Sequence, residues 1–133
     1  MKLGDIYRRA IETGIENDPR ARQAVREELE RRKKAYADLS GDEKEFYDLE
    51  SLENPYSDSR ILCGSADKEV QCILVGIDID VGEILLADKL ISKGTRIDLL
   101  LSHHPSGRAL ADLYAVMKMQ SDILNLYGVP INI

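Results

Sequence analysis

The chain is poor in the residues that usually reveal a chemical site. It has 133 residues, with two histidines, two cysteines, four prolines and no tryptophan. No Gly-rich phosphate loop, Ser-His-Asp set or Cys-His nucleophile can be assembled from it, and no internal repeat or low-complexity tract occurs. No apolar stretch approaches the ~20 residues of a membrane-spanning helix. Met1-Lys2-Leu3-Gly4 does not open like a signal peptide. Positive charge is also short: Lys plus Arg number 18 against 24 Asp plus Glu, a net charge of -6. Without a basic excess to neutralise phosphates, a general nucleic-acid or membrane-surface binder is excluded. Cys63 and Cys72 are therefore expected as reduced thiols packed in strands, in the cytoplasm. Their spacing with the histidines matches no zinc-finger pattern.

What is present divides the chain near residue 58. The first part, 1–58, reads as charged helices. Asp5 to Thr13 places Ile6, Tyr7, Ala10 and Ile11 at helical spacing, with Gly14 as the expected stop. Asp18-Pro19 starts a second helix, Asp18 as its cap and Pro19 in its first position. From Arg20 to Asp38 that helix is dominated by Arg, Glu and Lys, with a thin apolar set of Ala21, Val25, Leu29 and Tyr36. It reads as a solvated helix steadied by ion pairs; the sharper alternative is a partner-binding helix. Ser40-Gly41-Asp42-Glu43 is a capping box for a short helix, and Asn54-Pro55-Tyr56-Ser57 is turn chemistry.

From 59 to 133 the pattern becomes α/β. Arg60–Cys63 and Val70–Ile79 read as two strands joined as an antiparallel hairpin. Within the second, Cys72 to Ile77 is almost continuously apolar, as a strand buried on both faces requires. Asp80 with Glu83 caps a helix that carries Ile84, Leu85, Ala87, Leu90 and Ile91 and ends at Gly94. Ile97–Leu101 is the next strand, so the segment reads as a βαβ unit with adjacent parallel strands. A helix from about Ala109 to Tyr127, its methionines serving as core filler, and a strand opening at Val129 complete the unit. Ending on that strand, without a polar tail, suggests that more protein follows Ile133. The fold class is α/β: charged N-terminal helices, then a βαβ-containing sheet flanked by helices.

The chemistry concentrates in Ser102-His103-His104-Pro105, at the carboxyl end of the second parallel strand, where open α/β sheets bind ligands. Imidazole is the commonest nitrogen ligand of transition metals. Because successive side chains of an extended chain point to opposite faces, the pair is expected to serve two ions, or one ion and an orienting contact. Asp78 and Asp80, at the end of the first parallel strand, are expected to approach His103. Asp80 has a local role as a helix cap, which leaves Asp78 as the candidate ligand or orienting carboxylate.

These residues resemble a known family. Val70 to Asp80, a helix, Gly94 and the strand ending in Ser102-His103-His104-Pro105 are similar to the first half of the NGG-interacting-factor-three-like proteins, also described as type 2 homologues of GTP cyclohydrolase I. Met1–Thr13 resembles the family's opening helix and Arg60–Gly64 the short strand before the Asp strand; Asp18–Glu50 looks like an insertion. The resemblance implies half of a larger two-domain fold that holds two divalent metals, zinc, manganese or iron, between its halves. It implies homo-oligomers, dimers or ring-like hexamers. It also implies that His103 and His104 are metal ligands. The family's remaining ligands, a downstream Asp and a C-terminal His and Glu, have no counterpart before Ile133, so binding by this chain is expected to be weak or partial. The implied chemistry is hydrolysis of a purine ring or phosphoester by metal-activated water. The alternative is a non-enzymatic interaction module whose histidines are structural or vestigial and whose charged helices bind a protein partner.

Overall fold

A computed structural model describes residues 1–130. They form two compact units, Met1–Arg9 with Ser59–Ala111 and Ala10–Asp58 with Asp112 onward. The class is α/β: helices α1 (Leu3–Asn17), α2 (Ala21–Asp38) and α3 (Gly41–Glu45) come first. Strand β1 (Ile73–Gly76), helix α4 (Val81–Ser92) and strand β2 (Leu99–Ser102) follow, then α5 (Gly107–Ala111) and α6 (Leu113–Leu126). Among the described residues no helix is long and apolar enough to cross a membrane.

In the unit of residues 10–58 and 112 onward, α1 does not stop at Gly14 but continues to Asn17. Glycine is there for space: a Cβ on Gly14 would lie 2.7 Å from Cε2 of the Tyr56 ring. Tyr56 cannot step aside cheaply, because its hydroxyl donates to Asp18 Oδ2 at 3.0 Å. Gly14→Ala should gain about 1 kcal/mol of helix propensity and lose about 2 kcal/mol to overpacking. A net loss near 1 kcal/mol in urea unfolding is expected; a stabilised variant would show that the ring yields freely.

Asp18 caps by a different route from the expected one. Its Oδ1 accepts from the Arg20 backbone N–H at 2.9 Å and from Arg20 Nε at 3.0 Å, while Oδ2 accepts from Arg20 Nη2 at 2.7 Å. The helix proper begins at Ala21. Along α2 only Val25, at 1% exposure, is fully buried. The helix is not simply solvated, however: Arg32 pairs with Glu28 at 3.0 Å and donates to the carbonyls of Ser51 and Asn54. The capping box forms as expected, Ser40 exchanging hydrogen bonds with Glu43. The Asn54 turn is buried, with Asn54 Oδ1 accepting from Tyr56 N at 2.8 Å.

The expected helix from Ala109 to Tyr127 is two helices, interrupted at Asp112. Val116 is the fully buried residue of α6, whereas Met117 is exposed and so is not core filler. Gly128, with φ +82°, ends the segment. The strand expected from Val129 falls partly on residues 131–133, which lie outside the described residues; Val129 and Pro130 have no regular structure.

In the unit of residues 1–9 and 59–111, Arg60–Cys63 is not a strand and no hairpin forms. The chain's first residues take that antiparallel position. Leu3 N donates to Lys68 O at 2.9 Å, Gly4 N to Ala66 O at 2.8 Å, and Val70 N to Met1 O at 2.8 Å. Cys63 is thus an exposed free thiol outside any strand, and Cys72 is a half-buried free thiol just before β1.

Strands β1 and β2 pair in parallel, with Ile73 opposite Leu99 and Gly76 opposite Ser102. Between them α4 carries its reciprocal Asp80–Glu83 cap and stops at Gly94, where φ is +90°. Asp98 anchors the start of the pair: its Oδ2 accepts from the backbone N–H groups of Gln71 at 2.9 Å and Cys72 at 3.0 Å, and from Arg96 Nε at 2.8 Å. These hydrogen bonds, the Gln71 amide's foremost, hold the Asp98 carboxyl at about 2, below its ordinary 3.8. A lowered carboxyl pKa adds stability that is present above pH ~4 and lost as pH falls toward 2. Asp98→Asn should flatten acid unfolding in that window; an unchanged profile would show that Asp98 does not couple to folding.

The sheet also departs from expectation. A parallel strand pair is ordinarily covered on both faces, yet Ile73, Val75, Ile77 and Leu101 along one face are 40%, 64%, 63% and 46% exposed.

Candidate metal centre

β2 delivers the histidines and its ladder continues through them. His103 N donates to Gly76 O at 3.0 Å and His104 N to Ile77 O at 2.8 Å, although regular strand ends at Ser102. The Ser102 hydroxyl closes the turn, lying 3.2 Å from Ile77 O and 2.7 Å from His104 O. With the chain bending here, side-chain alternation no longer holds. The two imidazole centres are 5.2 Å apart, with planes inclined at 33°. They lie on the same side rather than on opposite faces. Ser102 was visible in the sequence as part of the tetrapeptide, but nothing there indicated that its hydroxyl fixes the bend.

Asp78, expected within reach of the histidines and near His103, makes its contact with His104. Its Oδ1 is 2.8 Å from His104 Nδ1, and both side chains are well exposed, 68% and 55%. An ionised carboxylate can only accept, so Nδ1 is the donor in this contact, and in the neutral ring the lone pair is then on Nε2. A carboxylate behind a histidine in this manner is the usual way of fixing tautomer and ring direction at metal sites. Asp80 takes no part, since its backbone and side chain are committed to the α4 cap with Glu83.

With a metal–nitrogen distance of ~2.0 Å, two imidazoles on one tetrahedral ion have centres about 5 Å apart. The observed separation of the ring centres is 5.2 Å, close to that spacing. It does not by itself provide a closed site, which takes four ligands. Among the described residues no group of three or more His, Cys, Asp or Glu side chains is arranged to hold a metal. What the strand end carries is a pair of exposed imidazoles, one of them held by a carboxylate.

A second polar cluster, Asp18 with Arg20 and Tyr56, was not foreseen as a cluster from the sequence. Both Asp18 oxygens are engaged within it. Comparison with known proteins assigns neither cluster: no family model, no curated protein and no solved structure matches this chain.

Proposed function

We propose that this chain binds a divalent metal through His103 and His104, as its contribution to a metal centre of the kind the Ser102-His103-His104-Pro105 resemblance implies. The observation that carries the reading is the 2.8 Å contact between Asp78 Oδ1 and His104 Nδ1, which holds an exposed imidazole by one nitrogen only. An exposed histidine with only a packing role has no need of such a partner. In a completed, dinuclear centre, zinc, manganese or iron would supply an activated water for hydrolysis of a purine ring or phosphoester. In that chemistry His103 and His104 hold, Asp78 orients, and Ser102 fixes the backbone that carries both rings. The two free thiols suit a reducing compartment, the cytoplasm.

A second reading, a protein-interaction module with structural histidines, is favoured by Phe46 and Leu49, which stand exposed just after the charged α2 and α3. Equilibrium dialysis against zinc, manganese and ferrous iron separates the two. Metal retained by the full chain and bound much more weakly by His103→Ala and by His104→Ala, with unchanged circular dichroism, is the expected result. Undiminished affinity in both variants would remove the histidines from the centre, and no uptake at all would favour the interaction module.

A further inference from the structure

We draw no further inference here: the strongest candidate, the apolar surface patch that Ile73, Val75, Ile77 and Leu101 expose on the β1–β2 pair, rests on exposure alone, and nothing in the structure shows what covers it.

Discussion

Replacing Asp18 by alanine should cost about 3 kcal/mol in urea unfolding at pH 7, the low end for removing one partner of a buried ion pair. The Asp18 side chain is only 2% exposed and its Arg20 partner 14%. Four donors converge on it: the Arg20 backbone amide, Arg20 Nε and Nη2, and the Tyr56 hydroxyl. Without the carboxylate, a guanidinium and a phenol are left without their acceptor, and leaving a buried charge unpaired dominates the loss. The Arg20 side-chain bonds, above all, hold the Asp18 carboxyl below its ordinary 3.8, while burial and Asp18 together push the Tyr56 phenol upward. The sign of the pH dependence follows. Asp18 adds stability above pH ~4 and loses it as pH falls through its lowered value, so Asp18→Ala should narrow its deficit in acid. Asp18→Asn keeps an acceptor for Tyr56 but loses the charge, and should fall between the two. A deficit below 1 kcal/mol that does not change with pH would mean that Arg20 and Tyr56 find other partners.

The second large effect concerns Asp78. Asp78→Asn should lower metal affinity 10- to 100-fold, the range found when the group orienting a metal-bound histidine is removed. Nearly the whole effect should pass through His104, because the 2.8 Å contact is to His104 Nδ1. In a His104→Ala background the same substitution should therefore change affinity very little, whereas in His103→Ala it should keep its full effect. Calorimetric titration of the three single and two double variants reads this directly. Since Asp78 is 68% exposed, folding stability should hardly move, in contrast to Asp18→Ala. Equal effects in both histidine backgrounds would make Asp78 a ligand in its own right or a remote charge.

Sequence reasoning succeeded where structure is dictated locally. The Ser40–Glu43 and Asp80–Glu83 boxes are complete within four residues, and Gly94 and Gly128 stop their helices through a positive φ that neighbours alone select. The parallel pairing of β1 and β2 was legible for a similar reason, two apolar runs separated by one capped helix. It failed where the cause lies far along the chain. Gly14 has the look of a helix stop, but its reason is the Tyr56 ring. The Val70 amide and the Lys68 and Ala66 carbonyls needed partners, and Met1, Leu3 and Gly4 supplied them in place of Arg60–Cys63. The histidines were placed at the strand end from sequence, yet their common orientation depends on a bend at Ser102 that alternation along a strand does not anticipate. Exposure of the Ile73–Leu101 face was equally hidden, because an apolar strand states that a face should be covered and not by what.

The most direct measurement of the central claim is X-ray absorption at the zinc edge of the zinc-loaded full chain. Coordination by His103 and His104 predicts a nearest shell of nitrogen at ~2.0 Å, with the outer scattering characteristic of imidazole rings, that disappears in the double variant His103→Ala/His104→Ala. A shell containing sulfur at ~2.3 Å would place the ion on Cys63 or Cys72 instead. That result would contradict the account at its foundation.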